Sequence, residues 1–214
     1  NARKTVEMGR EQIKRILRRS DLRKIVIAGP CSIHDIEAAQ EYSHRLMELA
    51  PKVQDQMLII MRQYFEKPRT SVGWKGLTVD PDMDSSNDME KGILLARGLL
   101  VNTLEHGLPT ATELLGPNVT QYISDTIVWA AIGARTTESQ THREMASGLS
   151  MPVGYKNGTK GGIDTAINAL IAGMGEHVFY GPDYENRIMK IETRGNMYGH
   201  IILRGGNRGP NYDE

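Results

Sequence analysis

Short strand-like segments alternate with helical patterns along most of this chain. Six segments predict strands, at residues 25–28, 57–61, 110–112, 130–134, 153–155 and 201–203. The first of them is almost wholly apolar, so we expect it to be buried on both faces. Apolar residues at helical spacing predict helices at residues 6–17, 35–49, 93–104, 121–128 and 163–171. Strands connected by helices pair in parallel, so this order predicts an α/β fold built on a parallel sheet.

A β-hairpin is predicted at about residues 177–194, before the last of the six strands. Residues 178–180 and 188–191 have strand character and flank the turn-forming sequence Gly-Pro-Asp-Tyr-Glu-Asn. No low-complexity tract or Ser/Gly-rich linker interrupts the 214 residues. We therefore predict a single domain, residues 1–214, that carries the hairpin as an insertion.

The charge balance narrows the class of partner. The 26 basic and 26 acidic side chains cancel, so the chain lacks the positive field of a dedicated nucleic-acid or membrane-surface binder. No apolar run in the sequence approaches the ~20 residues that cross a bilayer. The single cysteine, Cys31, excludes an internal disulfide and fits a reducing compartment. We expect a cytoplasmic protein that binds neither nucleic acid nor membrane.

A chemically capable side chain follows the carboxyl end of each predicted strand. In chain order these residues are Cys31, Arg62, Glu113, Arg135, Lys156 and Arg204. In a (β/α)8 barrel the carboxyl ends of all strands converge on one face, where the active site is built. Cations gathered there repel one another unless an anion neutralises them, and Arg offers a planar fork for carboxylate or phosphate. The pattern predicts a small, multiply anionic ligand.

Cys31 and the segment after the second strand are further candidates. A lone cysteine is more often a small buried residue than a reactive one. Beside cations at a barrel face, however, Cys31 could act as a nucleophile or as a metal ligand. The segment Glu66-Lys67-Pro68-Arg69-Thr70 combines two cations, a hydroxyl and a stiffening proline, which suits a second phosphate. Nucleotide binding has no support, because no glycine-rich phosphate motif follows a strand.

Several segments resemble the short-form (type I) microbial DAHP synthases, the 3-deoxy-D-arabino-heptulosonate 7-phosphate synthases. The likeness runs from the first helix to Glu214, and its motifs are AGPCSIHD (28–35), MRQYFEKPRTSVGWKG (61–76), GARTTESQTHREMASG (133–148), KNGT (156–159) and ILRGG (202–206). It implies a (β/α)8 TIM barrel of which about six βα units are present, in a chain truncated at both ends. It also implies the condensation of phosphoenolpyruvate with erythrose 4-phosphate, the first step of the shikimate pathway to aromatic amino acids.

The resemblance assigns substrate roles to the matching residues. Phosphoenolpyruvate would be bound by Arg62, Lys67, Arg135, Lys156 and Arg204, with Glu113 and the backbone of Gly133, Ala134 and Arg135 close by. Erythrose 4-phosphate would contact Lys67, Arg69 and Thr70, with its phosphate against the last two. Lys67 and Cys31 are the expected catalytic residues, and Lys67 is the protein acid expected to contact both substrates.

Metal binding is also implied by the resemblance. Cys31 would be one of four ligands to one divalent metal ion of the Mn, Fe, Co or Zn type, which acts as a Lewis acid on the aldehyde oxygen. The family's other three ligands, a His, a Glu and an Asp, lie on and beyond its seventh and eighth strands, after the point at which this sequence ends. We therefore expect that residues 1–214 alone bind metal weakly and do not turn over.

Two alternatives accompany this interpretation. One is a catalytically inactive fragment or regulatory paralogue that retains only the anion-binding or effector site. The other is the related barrel enzyme that uses arabinose 5-phosphate, and the motif at residues 67–70 argues against it because that relative carries a different motif there.

Feedback inhibition by an aromatic amino acid is typical of the family. The matching cavity positions are Pro117, Gln121, Leu149, Ser150, Phe179 and Gly181. Pro117 and Gly181 favour the tyrosine-sensitive branch. The resemblance further implies a homodimer or a homotetramer.

Overall fold

The structure is a computed structural model that describes residues 1–183, 185, 187–207 and 209. The chain divides into two compact units, Asn1–Ala130 and Ala131–Glu214. The prediction of a single domain stays a prediction. None of the helices in the described part of the chain is both long and apolar enough to cross a bilayer.

The first unit contains four helices and four strands. Its helices are α1 (Ala2–Leu17), α2 (Ile36–Val53), α3 (Met89–Glu105) and α4 (Pro117–Ile123), and a 3-10 turn follows at Ser124–Thr126. Its strands are β1 (Lys24–Ala28), β2 (Met57–Arg62), β3 (Thr110–Leu114) and the beginning of β4 (Trp129–Ile132). The strand order is β1-β2-β3-β4, and α1 and α2 both pack against α3.

Parallel pairing aligns the carboxyl ends of the first three strands. β1 pairs with β2 from Lys24 and Met57 to Ala28 and Met61. β2 pairs with β3 at Arg62 and Ala111. The side chains of Leu58 to Met61 are buried, because this apolar strand lies between two neighbours. The predicted parallel sheet is confirmed in this unit.

The second unit contains the end of β4, two helices and a second set of strands. The helices are α5 (Gln140–Ser147) and α6 (Asp164–Met174), and the strands are β5 (Val153–Lys156), β6 (His177–Pro182), β7 (Ile188–Thr193) and β8 (Gly199–Ile202). β5 pairs in parallel with β8, and the order is β4-β5-β8. β6 and β7 form a separate antiparallel pair, so the predicted hairpin before the sixth parallel strand is confirmed.

The structure corrects three sequence predictions. The helix predicted at residues 121–128 is wrong, because α4 begins earlier, at Pro117, and ends at Ile123. The chain leaves the helix there because the Val128 amide donates to the Thr110 carbonyl oxygen (2.9 Å) at the approach to β4. Helix α5 was not predicted. Strand β1 was expected to be buried on both faces, but its residues are half-buried or exposed because only β2 pairs with it in the described part of the sheet.

Candidate functional site

Arg62 lies at the end of β2 and is held by the loop that follows β1. Its guanidinium donates from Nη2 to the Gly29 carbonyl oxygen (2.7 Å) and from Nε to the Pro30 carbonyl oxygen (3.2 Å). A Cβ on Gly29 would lie 2.2 Å from the Arg62 carbonyl oxygen, so the two backbones can approach this closely only with glycine there. These contacts hold the Arg62 guanidinium beside Pro30, the residue before Cys31.

Lys67 and Cys31 are in direct contact. The Lys67 ammonium donates a hydrogen bond to Cys31 Sγ over 3.2 Å, although the two residues are 36 positions apart in sequence. Cys31 is exposed and Lys67 is half-buried. The structure thus brings together three predicted site residues of the first unit, namely Arg62, Lys67 and Cys31.

The loop that carries Lys67 and Arg69 is closed at its base by backbone pairing. Glu66 and Gly76 form an antiparallel bridge, and the Lys67 amide donates to the Lys75 carbonyl oxygen (2.8 Å). Gly76 has a φ of +113° and a Cβ there would lie 2.1 Å from the Phe65 carbonyl oxygen, so glycine is required. This pairing gives the segment 66–76 a defined position relative to β2.

Arg69 and Thr70 are exposed within this loop. The Arg69 Nε donates to the Trp74 carbonyl oxygen (2.7 Å), and the Trp74 indole donates to the Asp80 carbonyl oxygen (2.7 Å). The guanidinium is therefore ordered by backbone rather than by a carboxylate. Thr70 has an interaction of its own within the structure.

Glu113 is buried near the end of β3, and Tyr64 and Glu66 are half-buried. Burial raises the pKa of the Tyr64 hydroxyl, and the charge of Glu113 raises it further. Burial also raises the pKa of the Glu66 carboxyl, while hydrogen bonds from the Gly116 and Leu115 amides oppose that shift. The Arg62 guanidinium stands 5.1 Å from the centre of the Tyr64 ring, within the range of a cation–π contact. Sequence reasoning missed Tyr64.

In the second unit, Thr137 connects the turn after β4 with the end of β5. This turn contains Gly133, Ala134 and the exposed Arg135. The Thr137 hydroxyl is within hydrogen-bond distance of both the Gly133 carbonyl oxygen (2.8 Å) and the Lys156 carbonyl oxygen (2.8 Å), and Thr137 is fully buried. The backbones of the predicted residues Gly133 and Lys156 are therefore connected through the Thr137 hydroxyl.

Asn157 connects the end of β5 with the segment after β8. Its side-chain oxygen accepts from the Arg204 amide (2.7 Å), and its side-chain nitrogen donates to the carbonyl oxygens of Arg204 (3.1 Å) and Gly161 (2.9 Å). Asn157 is 0% exposed. Among the described residues, the buried Nη1 of Arg204 has no hydrogen-bond partner. A donor in this condition suits an anionic ligand.

The predicted effector positions divide between the units. Pro117 is the first residue of α4 and Gln121 is exposed on the same helix. In the second unit, Phe179 is paired with Ile191 across the hairpin, and a Cβ on Gly181 would lie 2.5 Å from Ile191 Cδ1. The Leu149 carbonyl oxygen accepts from the Asn196 side chain (3.1 Å), and Ser150 is exposed.

Metal-binding groups are sparse in the part of the chain that the structure describes. No group of three or more His, Cys, Asp or Glu side chains is arranged there to hold a metal ion. Cys31 is accessible, and its sulfur is a ligand that several divalent metals accept.

Comparison with known proteins places these motifs in one family. The family model described as "DAHP synthetase I family" matches residues 5–214. The Tyr-sensitive phospho-2-dehydro-3-deoxyheptonate aldolase of Salmonella typhimurium is 55% identical over 207 residues, which cover 97% of this chain and 58% of that protein. The Trp-sensitive aldolase of Buchnera aphidicola subsp. Schizaphis graminum is 56% identical over 203 residues, which cover 95% and 58%.

A solved structure carries the same fold. The phospho-2-dehydro-3-deoxyheptonate aldolase of Francisella tularensis SCHU S4 matches with a TM-score of 0.96 at 47% identity, covering 100% of this chain and 62% of that chain. This match confirms the predicted fold class. The chain spans about three-fifths of the length of these relatives. Because the Tyr- and Trp-sensitive relatives are about equally similar, identity does not decide between the two branches.

Proposed function

We propose, because this chain belongs to the DAHP synthetase I family, that it serves in an enzyme that condenses phosphoenolpyruvate with erythrose 4-phosphate. The products are 3-deoxy-D-arabino-heptulosonate 7-phosphate and inorganic phosphate. This reaction is the first step toward the aromatic amino acids, and we propose that it takes place in the cytoplasm. We also propose that the protein is a homodimer or a homotetramer.

The observation that carries this proposal is the condition of three cations in the first unit. Arg62 and Arg69 donate to backbone carbonyl oxygens, and Lys67 donates to the Cys31 sulfur. In the described part of the chain none of the three forms an ion pair with a carboxylate. Cations that are ordered without a carboxylate partner keep their charge for an anion. This arrangement supports a substrate that carries phosphate and carboxylate groups.

The substrate-binding residues that we propose are those that the family motifs contain. For phosphoenolpyruvate they are Arg62, Lys67, Glu113, Gly133, Ala134, Arg135, Lys156 and Arg204. For erythrose 4-phosphate they are Lys67, Arg69 and Thr70. The fixed guanidinium of Arg62 and the unpartnered Nη1 of Arg204 support the first assignment.

The proposed reaction forms one carbon–carbon bond and one carbon–oxygen bond, and it breaks one carbon–oxygen bond. C3 of phosphoenolpyruvate bonds to the aldehyde carbon of erythrose 4-phosphate, and the aldehyde oxygen takes up a proton. Water adds to C2 of the former phosphoenolpyruvate and gives up one proton, which replaces the proton taken up by the aldehyde oxygen. The bond from C2 to the phosphate oxygen then breaks, the C2 hydroxyl becomes the ketone, and its proton leaves with inorganic phosphate. We propose that the Lys67 ammonium supplies the proton to the aldehyde oxygen as a general acid.

We further propose that Cys31 supplies one thiolate ligand to a divalent metal ion of the Mn, Fe, Co or Zn type. The exposed sulfur supports this role. When bound, such an ion supplies Lewis-acid polarisation of the aldehyde oxygen. The remaining ligands, a His, a Glu and an Asp, are proposed to come from outside residues 1–214. A polypeptide of these 214 residues alone is therefore expected to bind metal weakly and not to turn over.

The function is tested by turnover of the natural gene product that contains this sequence. Phosphoenolpyruvate consumption and phosphate release are measured with erythrose 4-phosphate and, separately, with arabinose 5-phosphate. We expect turnover with erythrose 4-phosphate only. Tight phosphoenolpyruvate binding without turnover would support the alternative of a catalytically inactive anion-binding protein. Turnover by the isolated 214-residue polypeptide would refute the proposed origin of the metal ligands.

Lys67→Met tests the proposed acid. We expect this substitution to remove turnover while the dissociation constant for Mn²⁺ changes little, because the ammonium contacts the sulfur without being a metal ligand. Lys52→Met, at an exposed position in the last turn of α2, is the matched control and should retain full activity. Equal loss of turnover and metal affinity in the Lys67 variant would indicate a structural role instead.

An aromatic amino acid is the proposed effector, and tyrosine is the favoured one. We expect tyrosine to raise the thermal unfolding midpoint more than phenylalanine or tryptophan does. Phe179→Ala should abolish the increase, whereas Tyr180→Ala should not, because Tyr180 is 81% exposed on the opposite face of β6. A larger increase with another aromatic amino acid would contradict the proposed branch.

A further inference from the structure

Glu66 carries a half-buried carboxylate immediately before Lys67. Its oxygens accept from the Leu115 amide (3.1 Å) and from the Gly116 amide (3.0 and 3.2 Å), 49 and 50 positions away in sequence. The side chain thus connects the segment after β2 to the segment after β3. A carboxylate that accepts two backbone N–H groups is held more firmly than one in solvent.

The chain beside Gly116 is shaped for this contact. A Cβ on Gly116 would lie 2.8 Å from Glu66 Oε1, so any larger residue would compete with the carboxylate for space. Gly116 is also the N-cap of α4 and has no side chain to satisfy the first amides of that helix. The Gly116 amide itself precedes the helix, and the Glu66 carboxylate accepts its hydrogen bond.

Glu66 also forms the base of the loop that carries Lys67. Its backbone is bridged to Gly76, and the next amide, that of Lys67, donates to the Lys75 carbonyl oxygen (2.8 Å). From this base the Lys67 side chain reaches Cys31 Sγ at 3.2 Å. Glu66 and Lys67 are therefore consecutive residues, and the backbone of each is paired with the opposite side of the loop, at Gly76 and Lys75.

We propose that Glu66 is a positioning residue that holds Lys67 at the substrate site by anchoring the base of the 66–76 loop to the backbone after β3. This inference rests on the proposed function, because it concerns the residue assigned there as the acid and substrate ligand. Glu66 is not among the proposed substrate-binding residues. Glu66 acts by fixing the backbone of the loop, and this backbone determines the position of the Lys67 ammonium.

A double-mutant cycle on phosphoenolpyruvate affinity tests the coupling in the natural gene product. Glu66→Gln keeps the size of the side chain but replaces one acceptor oxygen with a donor that faces a backbone amide. We expect it to weaken phosphoenolpyruvate binding about tenfold, the ratio that corresponds to one hydrogen bond to a charged group. In a Lys67→Met background the same change should weaken binding less than twofold, because the positioned ammonium is already absent.

Controls separate positioning from a general loss of stability. Glu48→Gln removes an exposed carboxylate from α2 and should change neither the affinity nor the thermal unfolding midpoint. Glu66→Asp keeps the charge on a shorter side chain and should restore part of the affinity. If both Glu66 variants unfold at the assay temperature, the role of Glu66 is structural and the proposal is overturned.

The remaining outcomes are also decisive. Equal weakening by Glu66→Gln in both backgrounds would overturn the coupling to Lys67 while leaving the proposed function intact. Failure of the unsubstituted protein to bind phosphoenolpyruvate would refute the proposed function, and the positioning role with it. A weakening confined to the background with Lys67 supports the inference.

Discussion

Replacing Asn157 with alanine is expected to destabilise the second unit more than any surface substitution there. The side chain is fully buried and makes three hydrogen bonds, two with the backbone of Arg204 and one with the carbonyl oxygen of Gly161. Alanine removes all three bonds. It also leaves the Arg204 amide and the carbonyl oxygens of Arg204 and Gly161 without these partners.

The magnitude follows from the number of lost bonds. A hydrogen bond of this kind contributes about 1 kcal/mol to the free energy of unfolding, and a buried group left without its partner costs about 1–3 kcal/mol. Arg204 is half-buried, so water can reach part of its backbone and reduce the cost. We therefore expect Asn157→Ala to lower the free energy of unfolding by about 3 kcal/mol.

Urea denaturation followed by circular dichroism measures this change. Asn168→Ala is the matched control, because Asn168 is exposed on α6 of the same unit, and it should change stability by no more than about 0.5 kcal/mol. A loss below about 1 kcal/mol in Asn157→Ala, with an unchanged dependence on urea, would show that the buried amide does not hold Arg204 as the distances indicate.

Two further substitutions probe local packing and charge. Hydrogen bonds from Arg23 lower the pKa of Asp21 to about 2, below its ordinary 3.8, so the stabilisation is present above pH 4 and is lost as the pH falls toward 2. Asp21→Asn should therefore lower the urea midpoint at pH 7 and lower it much less at pH 2, and an equal effect at both pH values would contradict this. Gly173→Ala should lower the thermal unfolding midpoint despite alanine's better helix propensity, because its Cβ would lie 1.9 Å from Tyr155 Oη. Adding Tyr155→Phe should recover much of that loss, and an unchanged midpoint in the single alanine variant would refute the steric explanation.

The strands could be predicted because their information is local. Apolar runs such as residues 57–61 and 153–155 predicted all six parallel strands within two residues of their observed starts and ends. Helix α5 could not be predicted, since its sequence QTHREMAS is mostly polar and buries only His142, Ala146 and Ser147. The bounds of the helix predicted at residues 121–128 were wrong for a different reason, because tertiary pairing of Val128 with Thr110 overrode the local pattern.

The candidate site could be predicted in part for a related reason. Cys31 and Arg62 follow the ends of strands that pair in parallel, so residue type and position were enough to single them out. Lys67 lies in the loop after β2, and its role was predicted from the family motif. The residues that fix them were missed. Glu66 and Asn157 act on backbone groups 50 and 47 positions away, and a single sequence contains no local signal for such contacts.

Both units fix their candidate residues in the same physical way. Half-buried or buried polar side chains bind backbone groups, as Glu66 does at Gly116 and Asn157 does at Arg204, and the loops are set without using the charges of the site. A carboxylate partner would have ordered Arg62 or Lys67 equally well, but it would also have neutralised the charge that an anion must meet. Backbone carbonyl groups and neighbouring loops therefore hold the cationic side chains in place, and the charges of these side chains stay available for the substrate.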